Sequence, residues 1–181
     1  MHMNILQKIV SSANNFFEAA ERCDFPVGEV NEKNWPLMIP EFVNRAFACE
    51  LYLKGIAIAT DTKVINKHQL DLLFNQLKIE YKNKIFHIWL NRADENLIDC
   101  EYTRKMFDDN LLSISDIFER FRYSHEWVGS VLNVSSSFKR PEQIKLLSKG
   151  NMYGGFLKTF SIVLREHIET VFLDQGIYQL W

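Results

Sequence analysis

Phe107–Val128, FDDNLLSISDIFERFRYSHEWV, is the stretch that decides how this chain is read. At about 100° per residue, Phe107, Leu111, Ile114, Ile117, Phe118, Phe121 and Val128 fall on one stripe. That is the face an amphipathic helix buries. His125 lands near the middle of the stripe, and Arg122 at its flank one turn earlier. The stretch closes a longer one, Ile56 to Val128, that holds neither glycine nor proline. Strands joined by tight turns need those residues, and no run alternates apolar with polar positions. The expected fold class is therefore all-α, a single-domain bundle of about five to seven helices spanning residues 1–181.

Composition supports a real core. The 181 residues are 47% hydrophobic and 13% aromatic, enough burial to offset chain entropy in one domain. A net charge of −2 offers no global basic field to draw in nucleic acid, which leaves room only for a local basic patch. Cys23, Cys49 and Cys100 are scattered and odd in number, as suits thiols acting as small apolar side chains in a reducing compartment. The N-terminus lacks a signal-peptide pattern, and no apolar run approaches the ~18 residues of a membrane span. A cytoplasmic protein with no membrane partner is expected.

Working outward from the central stretch, the helices can be placed. The first runs from Met3 to about Cys23, with Ile5, Ile9, Phe16 and Ala20 near one face. Asp24–Pro36 reads as a loop anchored by Trp35. Pro40–Ala59 is a central helix with Pro40 at its first position, where no donor is needed. Glu50 and Lys54 form an i,i+4 pair on it. A third helix, Lys67–Lys78, follows a possible N-cap at Asn66 and buries Leu70, Leu73, Phe74 and Leu77; a fourth spans Glu80–Arg92 with Ile85, Ile88 and Trp89 apolar. The 107–128 stretch divides near Asn110–Ser113, with Ser113 and Asp116 as a weak capping box. Gly129–Pro141 is a loop, and a last helix runs from Lys149 or Tyr153 to Leu173.

Two of these segments, AFACELYLKGI and KHQLDLLFNQL, resemble the second and third helices of HEPN-domain proteins. Ala46, Glu50, Leu51, Leu53 and Lys54 match the first pattern, and His68, Leu70, Leu73 and Phe74 the second, with Lys67 and Gln69 departing from its usual Gly and Asp. IFERFRYSHE is similar to a third family pattern through Arg122, Tyr123 and Glu126, with His125 replacing an aromatic. The resemblance is strongest over residues 40–126. It implies a HEPN-like bundle that dimerises with its own copy and needs no cofactor. Many HEPN proteins are metal-independent RNases that carry an Arg, four to six residues, then a His; Arg120 and His125 have that spacing. The resemblance thus implies an RNase of a toxin or defence system, or else a non-catalytic module binding a nucleotide, RNA or a protein partner such as an antitoxin.

RNA cleavage without a metal requires a proton-transfer group and a cation at the phosphate, which imidazole and guanidinium supply. His125 is the candidate acid/base, Arg120 or Arg122 the phosphate holder, and Tyr123, Glu126 and Glu50 the supporting residues. On a continuous helix Arg120 and His125 point about 140° apart. The alternative is that His125 is a satisfied core or interface histidine and Arg122 pairs with Glu126 or Glu50. Glu50–Lys54 reads as a structural pair, and His68 as the donor or acceptor of a local hydrogen bond. His2, His87 and His167 lack partners at metal-ligand spacing, so no metal is expected. Arg165, Glu166 and His167 are adjacent and point in three directions.

Overall fold

The computed structural model describes residues 2–24, 35–92, 100–115 and 140–174, and the side chains of 5–24, 40–92, 103–115 and 155–174. Six helices and no strand occur among the described residues: α1 (His2–Cys23), α2 (Trp35–Ala59), α3 (Leu70–Asn75), α4 (Ile79–Arg92), α5 (Cys100–Ile114) and α6 (Arg140–Asp174). The all-α bundle read from the sequence is the architecture observed. No helix among these residues is long and apolar enough to cross a membrane.

α2 is the axis of the bundle, packed against α1, α3 and α6. Its second half is apolar nearly all round, and Ala48, Cys49, Tyr52, Leu53, Ile56 and Ala57 are all fully buried. Gly55 permits the close approach. A Cβ there would stand 3.0 Å from Ile168 Cδ1 on α6 and 3.3 Å from Val10 Cγ2 on α1. Burial pushes the Cys49 thiol well above its usual range, which leaves it an inert apolar filler. The Tyr52 hydroxyl is held neutral by burial and donates to Asn14 Oδ1 at 2.6 Å, joining α2 to α1.

The other half of the core is aromatic. Phe107 on α5 is fully buried, with ring centroids of Trp89, Phe74, Phe86 and Phe156 within 5.2–5.6 Å and Phe160 at 6.0 Å. Tilted and edge-on rings at these separations add to plain burial. Phe107, Leu111 and Ile114 thus bury the stripe assigned to them. Ile117, Phe118, Phe121 and Val128 lie outside the described residues, as do the loop over 129–139 and the tail over 175–181.

Several boundaries differ from the sequence reading. α2 starts at Trp35, so Pro40 lies inside the helix and forgoes only the bond its missing N–H would have given Pro36. The side chain of Trp35 is outside the described set. α1 buries Ala20 as read, but Leu6, Val10, Ala13 and Phe17 form the rest of its buried face, with Ile5 exposed and Ile9 and Phe16 half-buried. α5 starts at Cys100 and runs unbroken through Asn110–Ser113; Ser113 Oγ donates back to the Asn110 carbonyl at 2.6 Å instead of capping a new helix. α6 starts at Arg140, with Pro141 in its tolerant first turn, and continues through Gly150, Gly154 and Gly155. α3 is one and a half turns long, and Asn66 does not cap it.

The end of α2 shows how a helix stops in a stretch without glycine. The Thr62 N–H donates to the Ala57 carbonyl at 2.7 Å and the Asp61 N–H to Ile58 at 3.3 Å. This is a Schellman closure, with Asp61 at φ 50° in the place glycine usually takes. Thr60 Oγ1 reinforces it by donating to the Ile56 carbonyl at 2.8 Å.

Candidate functional site

α2 carries three buried charged residues, Glu41, Arg45 and Glu50, and Arg45 and Glu50 sit in different surroundings. Arg45 is fully buried. Its Nε donates to Glu41 at 2.9 Å, one terminal nitrogen to Glu21 at 2.8 Å and the other to Ser161 Oγ at 3.2 Å. Asp24 stands 3.6 Å away and pairs in turn with Lys158. The Phe17 ring lies 5.9 Å from the guanidinium carbon. α1, α2 and α6 are therefore fastened by three carboxylates around one fork of donors. Burial opposes the Arg45 charge, but the carboxylates of Glu41 and Glu21 outweigh it and hold the group above its usual range. Glu41 carries the opposite balance, since burial raises it despite the Arg45 bond. This network is a fastening whose central guanidinium is fully enclosed.

Glu50 is buried too, but its partners lead outward. Oε1 accepts from Lys54 Nζ at 2.7 Å. His68 Nδ1 lies 3.0 Å from Oε1 and 3.1 Å from Oε2. A carboxylate only accepts, so Nδ1 carries the proton in this contact. The side-chain exposures step from 6% at Glu50 through 18% at Lys54 to 50% at His68. The Schellman closure of α2 turns the chain back so that His68, eighteen positions on, reaches Glu50.

α3 begins two residues later and lacks a side-chain cap of its own. Ser115, at the end of α5, supplies one. Its carbonyl accepts from the Leu70 N–H at 3.2 Å, its Oγ accepts from the Asp71 N–H at 3.1 Å, and its hydroxyl donates to Asp71 Oδ1. Two of the orphan donors of that helix start are thereby satisfied from a distant segment. Ser115 thus stands beside the start of α3.

Arg120, Arg122, Tyr123, His125 and Glu126 lie outside the described residues. Of the sequence candidates, Glu50 alone is placed, paired with Lys54 as read. His68 departs from its reading, because the Glu50 acceptor is not local. Arg165, Glu166 and His167 do point apart: Arg165 pairs with Glu18 and Glu169, Glu166 with Arg92, and His167 turns inward. His167 Nε2 is buried without a hydrogen-bond partner, beside the Tyr81 ring. Burial, helped by Lys84, pushes its pKa down to about 4. Among the described residues no three His, Cys, Asp or Glu side chains gather as a metal site.

Sequence reasoning did not single out Arg45. The available signal was a lone arginine four residues after Glu41 on an otherwise apolar helix. No protein-family model, curated protein or solved structure matches the chain.

Proposed function

We propose that this chain is a HEPN-like helical protein that cleaves RNA without a metal in a toxin or defence setting, acting as a homodimer. The observation that carries the reading is the convergence of the two resembling segments. Glu50 of the first and His68 of the second meet in one hydrogen-bonded contact. In this reading His125 is the acid/base, Arg120 or Arg122 holds the phosphate by charge-assisted bonds, and Tyr123 or Glu126 orients them. A symmetric dimer brings two such sets together and concentrates basic charge despite the acidic whole.

The second reading is a non-catalytic HEPN-like module for a nucleotide, RNA or a protein partner. It is favoured by the angle of about 140° between Arg120 and His125 on a continuous helix. An RNA-cleavage assay in EDTA separates the two, comparing wild type with His125→Ala at matched circular dichroism. Cleavage that disappears in the folded variant supports the RNase. Binding of RNA without cleavage by either protein supports the module.

A further inference from the structure

We propose that His167 makes the docking of α4 onto α6 sensitive to acid: protonation of its imidazole releases α4 while α1, α2 and α6 stay together. The inference is independent of the RNase reading and concerns the bundle itself.

The geometry suits a neutral imidazole and leaves a charged one without a place. His167 is buried on α6, and its Nε2 has no hydrogen-bond partner. The ring faces α4, with the Tyr81 ring centroid 6.0 Å away. Two charged groups act on it: Lys84 of α4 repels an imidazolium, and Asp174 at the end of α6 attracts one. Glu80 and Asp174 act in turn on Tyr81. Burial and Lys84 outweigh Asp174, which is why the group titrates at about 4 in the closed bundle. An imidazolium here is a desolvated cation whose Nε2–H meets no acceptor. Tyr81 and Lys84 both belong to α4, so the ring gains water when that helix lifts.

α4 is also placed to move by itself. It packs on α6 and α5 and takes no part in the Arg45 network that fastens α1, α2 and α6. Its ion pair with α6, Arg92–Glu166, is exposed on both sides and so holds weakly. Lifting α4 is a sub-global opening that bares Phe86 and Trp89, which now pack edge-on against Phe107. The closed form binds the His167 proton with a pKa of about 4 and the open form near 6.5, so acid favours opening. Between pH 7 and pH 4 the opening constant rises about a hundredfold from this group.

The test is amide hydrogen exchange by NMR on the full-length chain at pH 7, 5 and 4, with and without low urea, expressed as protection relative to the unstructured chain. In wild type, Ile85, Phe86 and Trp89 on α4 are expected to exchange through an opening that depends weakly on urea and becomes about a hundredfold more frequent from pH 7 to pH 4. Tyr52, Leu53 and Ile56 on α2 are expected to be better protected at each pH, with the steep urea dependence of global unfolding. His167→Leu and His167→Gln, neither of which can take the proton, are expected to shrink the pH effect on α4 to less than about tenfold. Either variant suffices if the other fails to fold. A common rate and urea slope for α4 and α2 overturns the proposal, because the whole bundle then opens at once. A hundredfold pH effect retained in a folded His167 variant also overturns it and assigns the effect to carboxylates such as Glu166.

Discussion

Arg45 and Glu50 stand on the same helix, both sheltered by the core, and they show two uses of a buried charge. Arg45 has its fork spent on Glu41, Glu21 and Ser161, with Asp24 close by and the guanidinium itself fully enclosed. Glu50 spends its oxygens on Lys54 and on a histidine that is half in solvent. A closed network of this kind serves to fix three helices in register. A sheltered carboxylate that accepts from an exposed imidazole ties the following turn to the helix. The difference follows from position: Arg45 faces α1 and α6, whereas Glu50 faces the turn between α2 and α3.

The comparison breaks first at Arg45. Arg45→Met leaves Glu41 buried without its cation and should lower unfolding free energy by about 3–5 kcal/mol in urea titration. A loss below about 1 kcal/mol would mean the network is not a fastening. Next comes His167, the buried histidine of the closed side. Its folded pKa of about 4 lies below the unfolded 6.5, so the unfolded chain binds the extra proton between those values. Stability should therefore fall as pH drops from about 6.5 towards 4, by up to ~3 kcal/mol from this group. His167→Leu should flatten that part of the pH–stability curve relative to wild type; parallel curves would remove the claim.

Smaller effects are expected at the open end. Ser115→Ala removes the borrowed cap of α3 and should cost about 1 kcal/mol. Faster amide exchange of Leu70 and Asp71 should accompany it, and unchanged exchange would show that the cap is idle. Smallest is Asp61→Gly, which relieves the left-handed backbone at the end of α2. It should raise the melting temperature slightly, corresponding to about 0.5–1 kcal/mol. A lower melting temperature would show that the Asp61 side chain does more than occupy the turn.

What the sequence revealed follows the range of the forces involved. The helical class was legible because glycine and proline are absent over Ile56–Val128 and because stripes such as Leu70, Leu73, Phe74 and Leu77 repeat at helical spacing. All four of those residues are buried. The face of α1 was read correctly at Ala20 and one residue early at Ile5, Ile9 and Phe16, because its apolar positions cover a wide arc. The choice between Phe16 and Phe17 is made by α2 and by the ion pair that draws Glu21 to Arg45. Pro40 suggested a helix start because the sequence marks a missing donor but not the packing that tolerates it inside a helix. The Ser115 cap spans 44 positions and the Glu50–His68 contact spans 18, so neither leaves a periodic trace. Of the site, Glu50 and Lys54 were visible as an i,i+4 pair, while the role of His68 needed the turn at Asp61 to bring it back.

The central claim is that α2 uses its buried charges in two ways, Arg45 to fasten three helices and Glu50 to hold the turn that follows. The direct measurement is urea unfolding of Arg45→Met and His68→Gln side by side. The account predicts a loss of about 3–5 kcal/mol for Arg45→Met and of no more than about 1 kcal/mol for His68→Gln, as expected for a partly exposed pair. Equal losses in the two variants would contradict it.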